Sequence, residues 1–196
     1  MYRGPWSMKG KAMKFFVEIG SADFGTLWRL AQNGWSGIVV EPIPHFHDNL
    51  RAIFDGTSVE ILELAISDTS GKMPMAVSTG TGWARGISHS VSPNHKGTRL
   101  STLPGNQELF GETIEVDCIT LDHLVNMHVP DETDIDFLKI DAEGHETNII
   151  DAYTWNKKPH LIKLEHKHID DLAMKATLEA QGYLVWTEKD DIYAVR

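Results

Sequence analysis

Residues 15–25 read FFVEIGSADFG, and this stretch decides how the chain is interpreted. A short apolar run ends in an acid, Glu18, and a glycine, Gly20, and a small polar turn follows. A second apolar run ends in another acid, Glu41. Acids at the carboxyl ends of successive buried strands are typical of a nucleoside-binding edge, because the glycine lets the backbone approach a ligand and an acid accepts hydrogen bonds from ribose hydroxyls. The stretch therefore predicts an enzyme with a nucleotide-like cofactor.

Composition indicates an ordinary globular domain, with 41% hydrophobic and 23% charged residues in a chain of 196. The net charge of -10 argues against general nucleic-acid or anionic-membrane binding, since both require a basic face. No apolar run approaches the roughly twenty residues of a membrane-spanning helix, so no membrane partner is expected. The single cysteine, Cys118, excludes an internal disulfide and fits a reducing, cytoplasmic compartment.

Apolar strand patterns alternate with helical patterns over most of the chain, which predicts an α/β fold. After an N-terminal tail, residues 1–14, we expect one domain over residues 15–196. Its first half is predicted as a strand at 15–19, a helix at 26–33, a strand at 37–40, a helix at 44–54 and a strand at 59–66. This βαβαβ order indicates a mostly parallel, doubly wound sheet.

An insertion before the fourth core strand, residues 72–118, interrupts the alternation. We predict strands at 73–78 and 112–118, with a polar stretch rich in Gly, Ser and Pro between them. A connection of this length inside a domain favours a loop over the active site rather than a linker. This stretch carries Trp83, His89 and His95.

The alternation then resumes to the end of the chain. It predicts a strand at 135–140, a helix at 146–155, a strand at 160–165, a helix that begins at Asp170 or Asp171 and ends at Gln181, and an antiparallel hairpin of strands at 183–187 and 191–195. The closing hairpin differs from the usual end of a dinucleotide-binding sheet.

A second stretch with chemical potential, residues 136–146, reads DFLKIDAEGHE. In open α/β sheets, ligands bind at the carboxyl ends of the strands where the strand order reverses. Glu18 and Asp141 are expected on the two strands that flank this point, with Glu41 on the next strand out. A bound nucleoside would meet these positions.

With these motifs the sequence resembles the S-adenosylmethionine-dependent methyltransferases of the FkbM type. The matching stretches are VEIG at 17–20, VEP at 40–42, AISD at 65–68 with a following glycine, ITLD at 119–122 and LKIDAEGHE at 138–146. The resemblance covers roughly residues 15–196 and implies a Rossmann-like class I methyltransferase fold. In one departure, Gly20 and Gly25 are five positions apart, where the family's first loop usually has two glycines four apart.

The resemblance also implies S-adenosylmethionine as the cofactor. Its binding residues would be Glu18, Gly20, Ser21, Glu41, Pro42, Ile66, Ser67 and Asp141. By this resemblance the first loop and Glu18 lie beside the methionine part, Glu41 holds the ribose hydroxyls, Ile66 and Ser67 border the adenine, and Asp141 lies near the cofactor amino group and the reaction centre. Taken without the resemblance, Glu18 and Glu41 also fit helix-capping or salt-bridge residues, and Glu146 fits an acid that stabilises a helix dipole.

Methyl transfer to a hydroxyl requires a group that accepts the hydroxyl proton. The candidates are Asp141, His145 and His166, which follow the fourth and fifth core strands on the same edge, together with His89 in the insertion. A divalent metal, held by Asp141 with Glu165 and His166, is the less favoured alternative, because the sequence shows no complete ligand set. The metal-binding residues are therefore left unassigned.

The leading hypothesis is an S-adenosylmethionine-dependent O-methyltransferase that acts on a small hydroxylated acceptor, the family's usual range being sugars and natural products. An N-acceptor stays open, and so does a homodimer whose second subunit covers the pocket. One alternative is a non-catalytic module that only binds the nucleoside. Another is an NAD(P)-dependent oxidoreductase, which is disfavoured because residues 20–25 supply only the outer glycines of G-x-G-x-x-G.

Overall fold

Strands and helices alternate over most of the chain outside the insertion, as the hydrophobic pattern predicts. The computed structural model describes residues 14–79, 87–106 and 108–196. Its elements are β1 (Phe15–Ile19), α1 (Trp28–Gln32), β2 (Ser36–Val40), α2 (His47–Ile53), β3 (Val59–Leu62), β4 (Ala65–Ser67), β5 (Gly71–Val77), β6 (Ser88–Ser90), β7 (Glu112–Thr120), α3 (Leu121–His128), β8 (Phe137–Ile140), α4 (Glu146–Asp151), β9 (Leu161–Glu165), α5 (Asp171–Ala180), β10 (Leu184–Glu188) and β11 (Asp191–Val195). Short 3-10 helices precede α2 at Pro44–Phe46 and follow β6 at Leu100–Thr102. The tail predicted over residues 1–14 lies, except for Lys14, outside the described residues, as does Trp83.

The large sheet has seven strands in the order β10-β11-β9-β8-β1-β2-β3. From β9 to β3 every neighbouring pair is parallel, and β11 joins β9 antiparallel as part of the C-terminal hairpin. The strand order reverses between β1 and β8, which are adjacent in the sheet. This topology confirms the predicted doubly wound sheet and its closing hairpin.

Successive side chains of β1 pack into two separate hydrophobic cores, because successive residues of a strand point to opposite faces of the sheet. Phe15, Val17 and Ile19 pack with side chains of α3, α4 and α5 on one face. Phe16 packs on the other face with α1, α2 and strands of a smaller sheet. Helices on both faces explain why this strand is buried along its whole length.

The predicted strand at 59–66 is wrong in one respect, because two strands in different sheets replace it. β3 pairs parallel with β2, whereas β4 pairs parallel with β7. Between these two strands Glu63 is exposed to solvent, and it pairs with His47 and Arg51. The apolar pattern continues across this break, so nothing in the local sequence marks it.

The insertion forms most of a four-stranded sheet with the order β4-β7-β5-β6. Its strands β5 and β7 correspond to the predicted strands at 73–78 and 112–118, and they pair antiparallel. Helix α3 follows β7 directly and was not predicted. Its capping oxygen belongs to Thr120, whose side chain accepts from the amide of His123 at 3.1 Å.

Within the described residues, no helix combines the length and the apolarity that crossing a membrane requires.

The turn after β1 depends on Gly20, where the backbone has a φ of +75°. Its amide donates to the carbonyl oxygen of Val40 at 3.0 Å. A Cβ atom at this position would lie 1.8 Å from the backbone oxygen of Asp141. Only glycine therefore lets the first turn and the end of β8 approach each other this closely.

Replacing this glycine should destabilise the protein more than replacing a glycine of similar backbone conformation in open space. Gly34 is the matched control, since its φ is +84° and a Cβ there would meet nothing within 4 Å. We expect Gly34→Ala to cost about 1–2 kcal/mol through left-handed strain alone. Gly20→Ala should cost at least about 2 kcal/mol more, because backbone must move. Urea unfolding measures both changes, and equal losses would contradict the close approach.

Candidate functional site

A cavity of about 200 Å³ lies at the carboxyl ends of the central strands. The large sheet and its loops contribute Gly20, Glu41, Pro42, Asp141, Glu143 and His145 to the lining. The smaller sheet contributes Ile66, Met73, Met75, Ser88 and Ser90. The cavity therefore lies at the reversal of strand order, where the sequence predicts a ligand, and the insertion supplies one of its walls.

Glu41 is the most deeply buried acid of the cavity lining, with 4% of its surface exposed. Its carboxylate accepts hydrogen bonds from the amides of Ala22 at 2.8 Å and Ile43 at 2.9 Å. Burial raises its pKa to about 7, and these two backbone bonds oppose that rise. The side chain is thus a strong acceptor in a largely apolar pocket, at the end of β2 as predicted.

Glu18 does not line the cavity, although its sequence context is similar to that of Glu41. Its fully buried carboxylate accepts from the amides of Thr26 at 2.7 Å and Leu27 at 3.0 Å. The ammonium of Lys139 lies 3.5 Å from it. These contacts match the capping and salt-bridge interpretation of Glu18, and its predicted place beside the methionine part of a cofactor stays a prediction.

Two other predicted cofactor residues also lie behind the cavity wall. Ser21 is completely buried, and its hydroxyl has no hydrogen-bond partner among the described residues. The hydroxyl of Ser67 lies 3.0 Å from Asp68 and 3.0 Å from the ring of His145. Ser67 therefore touches the lining through His145, and Ile66 beside it lines the cavity directly.

His145 lines the cavity with both ring nitrogens engaged. Its Nε2 faces Ser67, and its Nδ1 lies 3.0 Å from Nδ1 of His95 in the insertion. The two rings stack with their centroids 5.2 Å apart. Burial lowers the pKa of each histidine to about 4, so both imidazoles are neutral at physiological pH. His145 thus holds the insertion against the turn after β8, and its predicted catalytic role stays a prediction.

The other candidate histidines lie away from the lining. Nε2 of His166 faces the carbonyl oxygen of Lys189 at 3.2 Å, in the loop after β9. The ring of His89 is buried between the carbonyl of Ser90 and the amide of Ser101. Among the described residues, His145 is the histidine that reaches the cavity.

Acidic side chains concentrate where β8 and β9 end. Glu143, in the turn after β8, lines the cavity, and its pKa is raised to about 8 by burial and by the charges of Glu165, Asp141 and Glu146. Glu146 is fully buried at the start of α4 and accepts from the amide of Ala142 at 2.6 Å. Burial raises its pKa to about 8 as well. The acidic side chains at this edge are therefore only partly neutralised by basic groups.

The metal grouping suggested by the sequence differs from the grouping in the structure. Glu165 lies with Glu143 and His168 rather than with Asp141 and His166, and the candidate ligand atoms of these three residues are all within 4.8 Å of one another. The chain turns after β9, so His166 faces the carbonyl oxygen of Lys189 whereas His168 lies beside Glu143.

Sequence reasoning missed the wall that the smaller sheet contributes. Met73 and Met75 alternate along β5 and face the cavity, and Ser88 and Ser90 do the same along β6. The alternation of apolar residues around Met73 is visible in the sequence. The sequence does not show that this strand belongs to a second sheet, which lies over the carboxyl edge of the large sheet.

Comparison with known proteins adds a family to this geometry. A model of the methyltransferase FkbM domain matches residues 15–185. No curated protein matches the sequence significantly. A chain of a fibrillarin/Nop5p complex is similar at 12% identity, with 97% of this chain and 75% of that chain covered and a TM-score of 0.46. The human methyltransferase 10 domain containing protein is similar at 12% identity, with coverage of 98% and 74% and a TM-score of 0.45.

The buried acid of Glu146 should make stability fall with rising pH. Its pKa is about 8 in the folded chain against an ordinary value of 4.5, so the folded state binds more protons between these values. The corresponding stability is present below about pH 4.5 and is lost as the pH rises through 8. Glu146→Gln keeps the bond to Ala142 without the charge and should retain on the order of 3 kcal/mol that the wild type loses by pH 9.

Thermal or urea unfolding at pH 5, 7 and 9 measures this difference. Glu188→Gln, which removes an exposed acid on β10, serves as the control and should follow the wild type. A Glu146→Gln variant whose pH profile is parallel to that of the wild type would contradict the assignment.

Proposed function

Because the chain belongs to the FkbM methyltransferase family, we propose that it transfers a methyl group from S-adenosylmethionine to a hydroxyl of a small acceptor, such as a sugar or a natural product. The family supports S-adenosylmethionine-dependent methyl transfer, and the hydroxyl acceptor is the further step of the proposal. The observation that carries it is the cavity at the reversal of strand order, which Gly20, Glu41 and Asp141 line together.

The residues of the cavity fit this cofactor in their charge and polarity. The buried carboxylate of Glu41 suits the two hydroxyls of a ribose, and apolar side chains such as Ile66 and Met75 suit an adenine face. Gly20 presents only backbone to the cavity, and no side chain can be added there, because its Cβ would lie 1.8 Å from the backbone oxygen of Asp141. When bound, S-adenosylmethionine supplies an electrophilic methyl group on a sulfonium.

The protein's part in the reaction is to align the acceptor, exclude water and take up a proton. Positioning of this kind lowers a barrier by roughly 7–11 kcal/mol. As the acceptor oxygen bonds to the methyl carbon and the carbon–sulfur bond breaks, the hydroxyl proton passes to a base, which contributes about 10²–10⁴-fold. Asp141 is the proposed base, because its side chain lines the cavity and is 34% exposed, and because the ammonium of Lys139 holds it in place at 3.2 Å.

Small acceptors suit the site better than polymers or membranes. The net charge of -10 disfavours anionic partners such as nucleic acid or acidic lipid. The apolar part of the lining also includes Phe24, an exposed aromatic in the first loop. A side chain of this kind can cover the apolar part of a bound acceptor.

Glu41→Ala should abolish most cofactor affinity. The substitution also removes the acceptor for the amides of Ala22 and Ile43, so circular dichroism checks that the variant is folded. We expect S-adenosylmethionine to bind the wild type with micromolar affinity and the variant about 10–100-fold more weakly, because a charge-assisted hydrogen bond contributes about 1.5–3 kcal/mol. Glu63→Ala is the matched control, since Glu63 also follows a parallel strand of the large sheet but is exposed and pairs with Arg51. Isothermal titration calorimetry measures all three affinities, and NADH is titrated in parallel.

Each result of this titration separates one alternative. Absence of S-adenosylmethionine binding in the wild type would overturn the proposal, and NADH binding in its place would favour the oxidoreductase. Binding without turnover on panels of hydroxyl and amine acceptors would favour a non-catalytic module. Turnover on amines alone would replace the hydroxyl acceptor with an amine.

A further inference from the structure

A group of three potential ligands lies beside the cavity, at the edge formed by β8 and β9. Glu143 is in the turn after β8, Glu165 is the last residue of β9, and His168 is in the loop that follows. Each offers one donor atom, and these atoms all lie within 4.8 Å of one another. Two carboxylate oxygens and one imidazole nitrogen form a mixed donor set that differs from an ordinary acidic surface patch.

The contacts within the described residues leave this group incompletely satisfied. Oε2 of Glu165 is buried and has no hydrogen-bond partner there. The other oxygen of Glu165 lies 3.4 Å from the ammonium of Lys167, and Nε2 of His168 lies 3.7 Å from Glu143, too far for a hydrogen bond. A buried carboxylate oxygen without a partner is costly, and a bound cation removes that cost.

The surrounding backbone holds the three residues in place. The amide of Thr98, in the insertion, donates to the carbonyl oxygen of His168 at 2.7 Å. Gly144 adopts a φ of +93°, and a Cβ there would lie 3.1 Å from Cβ of His168. The loop with His168 therefore packs directly on the turn with Glu143, which keeps the ligand atoms close without an ion.

We propose that Glu143, Glu165 and His168 bind one divalent first-row transition ion, with Mn²⁺ and Zn²⁺ as the fitting ions. Imidazole favours zinc and its neighbours, whereas carboxylates also suit manganese. Three protein ligands leave coordination positions open for water or for a substrate oxygen. A site that binds magnesium would be expected to present oxygen ligands alone.

The position of the group connects the ion to the proposed reaction, and this role rests on the proposed methyltransferase function. Glu143 lines the cavity and also belongs to the group of three potential ligands. An ion held there would coordinate the acceptor hydroxyl and lower its pKa. The hydroxyl proton would then pass to Asp141 as the oxygen bonds to the methyl carbon and the carbon–sulfur bond breaks.

Titration of the full chain with MnCl₂ or ZnCl₂, without S-adenosylmethionine, tests the site by calorimetry. We expect one ion per chain, and at least about tenfold weaker affinity in Glu165→Gln and in His168→Gln. His166→Gln is the control, because it removes a histidine of the same loop whose ring faces Lys189, and it should bind the ion as the wild type does. Circular dichroism confirms that each variant is folded.

The outcomes also distinguish failure of the metal-site proposal from failure of the proposed methyltransferase function. Absence of saturable Mn²⁺ or Zn²⁺ binding in the wild type would overturn the proposal, as would equal affinities in the wild type and both ligand variants. A separate titration with S-adenosylmethionine in the presence of EDTA reports on the cofactor alone. Cofactor binding without ion binding rejects the metal site and keeps the proposed function. Ion binding without cofactor binding keeps the metal site and rejects the proposed function.

Discussion

The buried ammonium of Lys139 is the contact on which the cavity depends. This side chain is 3% exposed in the middle of β8. It donates to the carbonyl oxygen of Gly20 at 3.0 Å, and it lies 3.5 Å from Glu18 and 3.2 Å from Asp141. A buried charge is tolerated only when it is paired and hydrogen-bonded, so these partners are held in one arrangement. One lysine thereby fixes the end of β1, the first turn and the end of β8.

The first loop is fastened from two sides by acids of different function. Glu18 binds the amides at the start of α1, and Glu41 binds the amide of Ala22 in the same loop. The loop therefore has a defined shape before any ligand arrives, which reduces the ordering cost of binding. Of the two acids, only Glu41 also lines the cavity.

The sequence predicted the central sheet well, because each of its main strands is a short apolar run that ends at a polar residue or a glycine. β1 and β11 have the predicted bounds, β2 and β8 differ by one or two residues at their starts, and the reversal of strand order lies where the two acidic motifs place it. The break between β3 and β4 was missed because apolar residues continue across it. Local pattern reports which faces are buried, and it does not report which sheet a strand joins.

The structure brings only some of the predicted site residues to the cavity, for a similar physical reason. Gly20, Glu41, Pro42, Ile66, Asp141 and His145 line the cavity, whereas Glu18, Ser21, Ser67 and His166 do not. Glu18 and Glu41 have similar local sequence contexts, and only the packing of the loop against α1 separates them. The contact of His95 with His145 and the grouping of His168 with Glu143 join segments far apart in the chain. Contacts of this kind have no signature in one sequence.

A crystal structure of the protein with S-adenosylhomocysteine tests the role of the cavity most directly. We expect the nucleoside in the cavity, with both ribose hydroxyls about 2.5–3.0 Å from the carboxylate of Glu41 and the sulfur toward Asp141 and Glu143. A nucleoside bound elsewhere, or one in this cavity whose ribose makes no contact with Glu41, would contradict it.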